Sequence, residues 1–493
     1  MSPHTFTPAH AFHLEDVAAW NIETDVVIIG FGIAGACAAI DARLAGAEVA
    51  IFEVAAAAGG SAQLSGGEFY LGGGTDAQRA AGFDDPVENF RAYLMMAGGP
   101  GVDEARVDLY ASHSLAHYQW LKDQGVPFKG TYLAGKWPEP PTDDELIWCG
   151  SEAAWPFRAA ARPAPRGHAA QFTGRGAGKV VMDRLAGRAG QLGAQVHLSS
   201  RVLCLIADRE NAVHGVVARI DGEARTVRAR KGVVLASGGF ICNQQMLRQY
   251  APLALAVTGM PLTGGNDDGS GILMGLSVGG TVTHMEQFFV TKTFFPPASL
   301  VKGIFVNARG QRFINEDAYH GRVAQYAIRQ EGGRVWLLVD NATFGRPHSF
   351  PAIPIAAVGE TWAEVEAELG LPEGELQHTM EVYNRHAAAR ADPLFHKEPE
   401  WLQPLTEPPF AALGFGPQDY PAVTFTLGGL QTMPKGEVLD ATGAPVPGLY
   451  AAGRVACGIP RWGDGYSSGM SLGDSSFFGR QAGRSAAAVL RAG

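Results

Sequence analysis

Gly30, Gly32 and Gly35 form a G-x-G-x-x-G pattern, the type of sequence whose backbone amides bind a pyrophosphate. The apolar residues 26–29 precede the pattern and predict a buried strand, and good helix formers follow it. In such a unit Gly30 permits the tight turn, Gly32 lets phosphate approach the backbone, and Gly35 lets the helix pack on the sheet. Glu53 ends the next apolar run, about 20 residues further on, where it can accept hydrogen bonds from ribose hydroxyls. The pattern predicts a dinucleotide site.

Two other glycine-rich segments carry hydroxyl groups that can act on a bound ligand. Residues 59–67 combine glycines with serines, and such a loop can wrap a flat heterocycle, continue the phosphate site or serve as a flexible linker. Residues 463–473 hold Tyr466 and Ser468 between glycines. The glycines predict that this segment is a second flexible loop.

Strand and helix patterns place these loops in an α/β fold. Residues 196–229 alternate as short strands and turns, which predicts a β-meander, and residues 232–240 form a further strand that ends in a glycine pair. Residues 448–453 bring the chain back to the same sheet, and the alanine-rich residues 474–490 predict a closing helix. We therefore expect a Rossmann-like domain that combines a parallel sheet with a meander.

The chain divides into two domains. Residues 285–420 begin with a phenylalanine cluster and mix helix and strand patterns, so they predict an inserted α+β domain. Residues 1–284 and 421–493 then form one discontinuous nucleotide-binding domain. Within these domains, residues 126–175 are rich in Pro, Gly and Trp and predict irregular structure, and residues 303–316 predict a hairpin.

The composition is that of a globular protein, since 46% of the 493 residues are apolar and 18% are charged. A net charge of −10 argues against nucleic acid or an anionic membrane as partner. The five cysteines are scattered without C-x-x-C or Cys/His spacing, so we expect reduced thiols and no metal site. The N-terminal residues lack signal-peptide features, and the longest apolar run, residues 26–40, is too short to span a bilayer. These features predict a cytoplasmic protein with no stable membrane insertion.

A single complete glycine fingerprint, one acid and the return of the chain to the same sheet favour permanently held FAD over a nicotinamide coenzyme. Several segments match a known group of flavoproteins in the same order, namely residues 30–35, 59–67, 236–239, 312–316, 426–430 and 449–453, together with Glu53. Through these segments the chain resembles the fumarate reductase/succinate dehydrogenase flavoprotein superfamily over nearly its whole length. The resemblance implies a glutathione-reductase-like FAD-binding domain with an inserted α+β catalytic, or capping, domain.

The resemblance also implies how FAD is held. Succinate dehydrogenases attach FAD through a histidine in the loop that matches residues 59–67, and since this loop has no histidine, non-covalent FAD is implied. Asp268, before a further predicted helix, either holds the ribose or cofactor or caps the helix. The other implied contacts are Gly30, Gly32, Ile33, Ala34, Gly35, Glu53, Gly60, Ser61, Ser65, Gly66, Gly67, Val202, Ser237, Gly238, Gly453, Ser471 and Leu472.

Two departures from the superfamily bear on the substrate. Its dicarboxylate enzymes have a histidine just before the Thr-x-Gly-Gly segment, where this chain has Phe425. They also have an arginine proton donor shortly after the Asn-Glu pair, where this chain has Tyr319 and, a little further on, Arg322. The loss of a polar and a cationic anchor argues against a small dianionic substrate.

Tyr319 and the loop at residues 465–469 are instead similar to the 3-ketosteroid dehydrogenases, which pair a tyrosine of the inserted domain with a Tyr-x-x-Gly loop. The Gly-Tyr-Ser-Ser-Gly variant resembles the Δ4-(5α) branch, which desaturates carbons 4 and 5 of 3-keto-5α-steroids. The resemblance implies that Tyr466 binds the ketone oxygen, Ser468 takes the carbon 4 proton and Tyr319 relays it outward, while flavin accepts hydride. A serine base needs an adjacent proton acceptor, and Tyr319 fills that role only if its pKa, ordinarily about 10, is lowered.

The predicted partners are a steroid ketone and an external electron acceptor. The phenylalanine-rich residues 288–305 fit either a pocket for a large apolar ligand or a plain core strand. His320 is isolated from other motifs, which is typical of a surface or core histidine. Three alternatives remain at this point: a 3-ketosteroid Δ1-dehydrogenase, a fumarate-reductase-like enone or enoate reductase, and a flavin-binding protein that carries or senses.

Overall fold

The computed structural model describes residues 6–257, 259–346, 353–419 and 422–489. The strands are β1 Phe12–His13, β2 Ile22–Ile29, β3 Val49–Phe52, β4 Glu68–Tyr70, β5 Tyr132–Lys136, β6 Leu146–Trp148, β7 Gly167–Ala169, β8 Gln195–His197, β9 Arg201–Ala207, β10 Val213–Ile220, β11 Glu223–Leu235, β12 Gly259–Pro261, β13 Val282–Thr283, β14 Phe288–Thr291, β15 Ile304–Asn307, β16 Val335–Val339, β17 Ile355–Gly359, β18 Phe410–Gly414, β19 Ala422–Thr426, β20 Gly429–Leu430, β21 Glu437–Leu439 and β22 Pro445–Ala451. The helices are α1 Ile33–Leu44, α2 Asp76–Ala80, α3 Val87–Ala97, α4 Glu104–Asp123, α5 Phe157–Ala160, α6 Ala177–Gln191, α7 Gln244–Tyr250, α8 Pro252–Leu255, α9 Ser270–Ser277, α10 His320–Ala327, α11 Trp362–Leu369, α12 Glu375–Ala388 and α13 Met470–Ala488. Within these residues, no helix has both the length and the apolar character needed to cross a membrane.

A large mixed sheet forms the base of the molecule, with the strand order β1-β9-β10-β11-β2-β3-β8 and with β22 paired to β11. The strands β11, β2, β3 and β8 are parallel neighbours, and β9, β10 and β11 form an antiparallel meander. This topology confirms the predicted Rossmann-like domain with a β-meander. The last meander strand and the strand predicted at residues 232–240 are one continuous strand, β11, with a register shift between Ala229 and Gly232.

The helices α1 and α13 pack against each other beside this sheet. Gly479 of α13 faces α1, and a Cβ at this position would clash with the carbonyl oxygen of Ala34. Glycine therefore allows the two helices to approach closely. Because of this contact, the first turn of α1 lies beside the middle of α13, and the first two turns of α13 extend beyond the start of α1.

The segment predicted as an inserted domain contains its own antiparallel sheet, in the order β15-β16-β18-β17. The helices α11 and α12 cover one face, and an aromatic core that includes Phe294, Phe305 and Phe415 covers the other. This arrangement fits the predicted FAD-binding domain with an α+β cap. The predicted limits at residues 420 and 421 lie outside the described residues, so the domain boundaries stay a prediction.

The hairpin predicted over residues 303–316 is wrong in its second half. The strand β15 pairs with β16, and the residues after the turn contribute an isolated bridge instead of a strand. Arg312 turns inward and binds Glu316 at 2.8 Å and Asp392 at 3.0 Å, and Lys397 Nζ lies 3.2 Å from Glu316. All four side chains are buried, and breaking such a network leaves an uncompensated charge. The ion network therefore holds this segment in an irregular conformation.

Residues 126–175, predicted as irregular, contain β5, β6 and β7, which form a sheet with β4 in the order β4-β7-β6-β5. These strands have three to five residues each, too few to show a period of two in the sequence. In the described part of the chain, β12, β19 and β14 form a further sheet, in which residues 288–291 pair with residues 423–426. The capping segment is thus joined to the base through a shared sheet.

Candidate active site

A large cavity opens where the loops after β2 and β11 meet the start of α13 and the capping segment. Its wall runs from Gly32 and Glu53 in the nucleotide-binding segment to Phe289 and Tyr319 in the capping segment. One cavity therefore connects the predicted dinucleotide site with the predicted catalytic residues. Predicted site residues in its wall are Gly30, Gly32, Ile33, Ala34, Glu53, Gly60, Ser61, Ser65, Gly66, Val202, Ser237, Gly238, Tyr319, Gly453, Tyr466, Ser468, Ser471 and Leu472.

The N-termini of α1 and α13 both face this cavity. The helix α1 begins at Ile33 after Gly32, and α13 begins at Met470 after Gly469, earlier than the predicted residue 474. Neither start has a cap from the side chain of its N-cap residue. At α1 the first N–H groups and a partial positive charge point at the cavity. At α13 Met470 N instead donates to Ser467 O at 3.1 Å and Ser471 N donates to Tyr466 Oη at 3.4 Å, so this helix start offers the cavity its partial positive charge. A Cβ on Gly32 would meet nothing within 4 Å, so the backbone there is open to a ligand. These residues fit the pyrophosphate of the predicted FAD.

Glu53 is held at the cavity wall by backbone donors. Phe31 N donates to Oε2 at 2.6 Å, and Ala55 N donates to Oε1 at 2.8 Å. A carboxylate offers about four acceptor positions, so these two bonds leave others for hydroxyl groups. The fixed position of the carboxylate supports the predicted ribose contact.

Gly35 and Gly67 lie outside the described cavity wall, and their contact with FAD stays a prediction. A Cβ on Gly35, in α1, would clash with the carbonyl oxygen of Gly30, which agrees with the helix-packing role predicted for this residue. Gly67 has a φ of +77°, and a Cβ there would lie 2.7 Å from the carbonyl carbon of Ala177. Each glycine therefore allows close backbone packing next to the site.

Asp268 is also outside the cavity wall, whereas its neighbour Asp267 lies in the wall. Asp268 Oδ1 accepts a hydrogen bond from Ser270 N at the start of α9, and its Oδ2 pairs with Arg201, both at 2.9 Å. The structure therefore supports the helix-cap alternative for Asp268. Asp267 Oδ2 instead pairs with Arg454 at 2.5 Å. The sequence analysis did not predict this pair. The Asn-Asp-Asp sequence does not show which carboxylate faces the cavity, and Arg454 belongs to no recognised motif.

The three predicted catalytic residues come together on one wall. The hydroxyl groups of Tyr319 and Ser468 are 2.8 Å apart, and Tyr466 Oη donates to Ser471 Oγ at 3.1 Å. Tyr319 and Tyr466 are buried, with 3% and 6% of their surface exposed. The segment 149–151 positions both residues of this pair. Cys149 O accepts a hydrogen bond from Ser468 N at 2.9 Å, and Ser151 Oγ accepts one from Tyr319 N at 3.0 Å.

Phe289 and Phe425 form an aromatic surface next to this group. The ring centroids of Phe289 and Tyr466 are 4.2 Å apart, and Phe425 lies 4.9 Å from Phe289 and 5.6 Å from Tyr466. Phe289 also stacks on Tyr319 at 6.3 Å. The phenylalanine-rich run thus has two roles, since Phe289 lines the cavity while Phe294 is in the core of the cap. Both predicted interpretations of this run are partly correct.

Burial raises the pKa of Tyr466 to about 12 and the pKa of Tyr319 well above its ordinary value. Both phenols are therefore protonated at neutral pH, and Tyr466 can donate a hydrogen bond to a ketone oxygen. The lowered pKa that Tyr319 would need in order to act as a base is absent. Tyr319 can still relay a proton, because it receives one from Ser468 as it releases its own.

His320 lines the cavity although its sequence context is typical of a surface or core histidine. Its Nδ1 hydrogen-bonds the hydroxyl of Thr291, and its buried Nε2 has no hydrogen-bond partner among the described residues. Burial, together with the charge of Lys136, lowers the pKa of His320 to about 3. The ring is therefore neutral at physiological pH. No local sequence signal places it here, because its position depends on the docking of α10 against β14.

Comparisons with known proteins identify the family of this chain. Residues 25–465 match the family model described as FAD binding domain. The 3-oxo-5-alpha-steroid 4-dehydrogenase of Comamonas testosteroni is 26% identical over 499 residues, which cover 89% of this chain and 94% of that protein. The probable fumarate reductase Ifc3 of Shewanella frigidimarina (strain NCIMB 400) is 27% identical over 480 residues, which cover 94% of this chain and 75% of that protein.

Among solved structures, a 3-ketosteroid Δ4-(5α)-dehydrogenase from Rhodococcus jostii RHA1 in complex with 4-androstene-3,17-dione is similar over nearly the whole length. The two are 42% identical with a TM-score of 0.92, and the match covers 97% of this chain and 99% of the other. The chain therefore belongs to the FAD-binding flavoproteins, and its cofactor is FAD. Within that family it is an oxidoreductase of the 3-ketosteroid Δ4-(5α)-dehydrogenase branch, which confirms the resemblance seen in the sequence.

Gly32→Val should weaken FAD binding by about 5–150-fold without unfolding the apoprotein, because overpacking costs about 1–3 kcal/mol. The backbone of Gly32, at φ −78° and ψ −170°, is extended and accepts valine, but the new side chain would occupy the space of the phosphates. Flavin absorbance per protein after purification measures the loss, and circular dichroism measures the fold. Gly187→Val, at an exposed glycine of α6, is the control and should retain FAD. Normal flavin content in the Gly32 variant would contradict the assigned phosphate site.

Proposed function

We propose that this enzyme introduces the double bond between carbons 4 and 5 of 3-keto-5α-steroids. The observation that carries the proposal is the convergence of Tyr319, Tyr466 and Ser468 on one wall of the FAD cavity, with the Tyr319 and Ser468 hydroxyls 2.8 Å apart. The neighbouring surface is aromatic, which suits an apolar ring system. The Rhodococcus relative supports the proposal, since its name states this activity and it holds a steroid with a double bond at carbon 4.

Tyr466 polarises the ketone. Its protonated hydroxyl, now hydrogen-bonded to Ser471 Oγ, can turn its proton toward a ketone oxygen in the cavity. The hydrogen bond strengthens as negative charge develops on that oxygen, which makes the carbon 4 proton more acidic. FAD, when bound, supplies the acceptor for the hydride that leaves carbon 5.

Ser468 removes the proton from carbon 4. As its Oγ takes that proton, it passes its own to Tyr319 across 2.8 Å. The electron pair of the broken carbon 4–hydrogen bond forms the new double bond, while the hydrogen on carbon 5 leaves with its electron pair. Tyr319 is buried and Ser468 is partly buried, so the transfer takes place at the inner wall of the cavity.

The structure offers less support for a fumarate-reductase-like enoate reductase. Arg322, near the place of the superfamily's proton donor, lies outside the described cavity wall and donates to the carbonyl oxygen of Asp464 at 2.9 Å. Arg454 lines the cavity, but its charge is paired with Asp267. Phe425 occupies the wall next to Tyr466, where it offers no hydrogen bond to a carboxylate.

We also infer that FAD is held non-covalently, that an external acceptor reoxidises it and that the enzyme is cytoplasmic. The absence of a histidine from residues 59–67 supports the first inference, and five free cysteines support a reducing compartment. Acid precipitation of the holoprotein should leave the flavin in solution; flavin that stays in the pellet would contradict non-covalent binding.

The function is tested by mixing the FAD-loaded protein anaerobically with the 5α-saturated counterpart of 4-androstene-3,17-dione. The flavin absorbance should bleach, and an artificial electron acceptor should then sustain formation of a 4,5-unsaturated ketone, identified by mass spectrometry and NMR. The 5β epimer presents its carbon 5 hydrogen on the other face and should not bleach the flavin. A 1,2-unsaturated product would support the Δ1-dehydrogenase alternative. A spectrum that no steroid or enoate changes would favour a carrier or sensor.

A further inference from the structure

Glu68 is a buried carboxyl group of the cavity wall that has no role in the steps above. It is 5% exposed, and its buried Oε1 has no hydrogen-bond partner among the described residues. The carboxyl group packs against Gly66, where a Cβ would clash with both of its oxygens. Its strand is attached to the catalytic loop, because Tyr70 N donates to the carbonyl oxygen of Gly469 at 3.1 Å. A buried polar atom without a partner is costly and rare, so Glu68 requires a chemical explanation.

Glu68 faces a defined set of ionisable groups. Burial, followed by the negative charge of Glu139, raises the pKa of Glu68 to about 8. Glu68 in turn raises the pKa values of Tyr319, Tyr466 and Cys149 through its charge, so it is within electrostatic range of both catalytic tyrosines. Its carboxyl group can therefore change between neutral and ionised forms close to physiological pH.

The proton from carbon 4 needs a group that can hold it. Tyr319 is already protonated, because its pKa is raised well above the ordinary value. It can therefore pass a proton on but cannot store an additional one. The His320 ring lies next to the Tyr319 ring, with the centroids 4.2 Å apart, but its pKa of about 3 makes it too weak a base. A carboxylate that titrates near the working pH is the effective type of acceptor. Among the residues described in this wall, Glu68 has that property together with an unpartnered oxygen.

We propose that Glu68 finally accepts the proton that Ser468 removes from carbon 4, and that Glu139 passes it to solvent. This inference rests on the proposed function. The Ser468 proton moves to Tyr319, and the phenol proton of Tyr319 crosses through water in the cavity to the Glu68 carboxylate. The carboxylate becomes a neutral acid, and Ser468 and Tyr319 return to their starting forms. Glu139 also lines the cavity and pairs at 3.0 Å with Arg175, which is 62% exposed, so this pair forms an exit to solvent.

The test measures flavin bleaching by the 3-keto-5α-steroid in a single turnover as a function of pH. In the wild type the rate should rise with pH as Glu68 ionises. Glu68→Gln should slow bleaching by about 100-fold, the lower end of the range for general acid–base catalysis, and should remove the pH dependence. Glu68→Asp should keep the pH dependence at an intermediate rate. Glu139→Gln should move the midpoint to lower pH, because the charge that raises the Glu68 pKa is gone.

Glu437→Gln is the matched control, because Glu437 also has a buried unpartnered oxygen but lies outside the described cavity wall. It should leave both the rate and the pH dependence unchanged. Infrared spectra of the FAD-loaded protein without steroid give a second readout. The C=O band of a protonated carboxyl group should disappear as pH rises, with the midpoint seen in the rates, and it should be absent from Glu68→Gln.

Several outcomes separate this inference from the proposed function. If the steroid bleaches the wild type and Glu68→Gln keeps the rate and its pH dependence, the inference fails and the proposed function stands. The same holds if Glu68→Gln alters FAD binding or the flavin spectrum while the pH dependence persists, since Glu68 would then be a cofactor contact. If the steroid does not bleach the wild type, both fail.

Discussion

Replacing Tyr466 with phenylalanine should lower kcat for steroid oxidation by about 10²–10³-fold while FAD stays bound, which is the usual cost of losing one donor to a developing oxyanion. The phenyl ring would keep its contacts with Phe289 at 4.2 Å and Phe425 at 5.6 Å, so the cavity wall would keep its shape. The lost hydroxyl acts most strongly when charge develops on the ketone oxygen. We therefore expect kcat and kcat/KM to fall together in steady-state kinetics.

Tyr383→Phe is the control for this change. Tyr383 is a buried tyrosine of the cap whose hydroxyl donates to the carbonyl oxygens of Lys302 and Gln403, away from the cavity. Its loss should cost about 1 kcal/mol of stability and leave kcat unchanged. A Tyr466 variant that keeps wild-type kcat, or one that loses its FAD, would contradict the role of Tyr466 as donor to the ketone.

Ser468→Ala should slow the reaction by about 10²–10⁴-fold, the range typical of losing a positioned proton acceptor. Alanine removes the oxygen that takes the proton and leaves Tyr319 without its 2.8 Å partner. Proton removal should then limit turnover. A substrate deuterated at carbon 4 should accordingly show a larger primary isotope effect on flavin bleaching in the variant than in the wild type.

Ser467→Ala tests whether this effect is specific to its neighbour. Ser467 is fully buried and its hydroxyl bonds Tyr93 at 2.8 Å, outside the described cavity wall. The variant should lose about 1 kcal/mol of stability and keep the wild-type isotope effect. Equal losses of activity in the two serine variants would show that the loop, and not the Ser468 hydroxyl, is responsible.

Local sequence was sufficient for the nucleotide-binding domain and its cofactor. The turn at residues 26–35 needs glycine for reasons within a few residues of chain, so spacing alone predicts its geometry. The capping box formed by Thr361 and Glu364 at the start of α11 is local in the same way. The resemblance to the flavoprotein superfamily also predicted Tyr319, Tyr466 and Ser468 as catalytic residues. No local sequence feature showed that these three side chains lie close together.

Contacts between distant segments decided the rest. Asp267, and not Asp268, faces the cavity because α9 uses the second carboxylate at its start. The second strand of the predicted hairpin does not form, because Arg312 and Glu316 join a buried ion network with Asp392 and Lys397, about 80 residues further along the chain. The base strength of Tyr319 and the acidity of Glu68 depend on burial, and burial arises only when segments that are distant in the sequence pack together. Residue type and spacing therefore predict the reacting groups. The packing around these groups determines their pKa values, and with them which group can accept a proton.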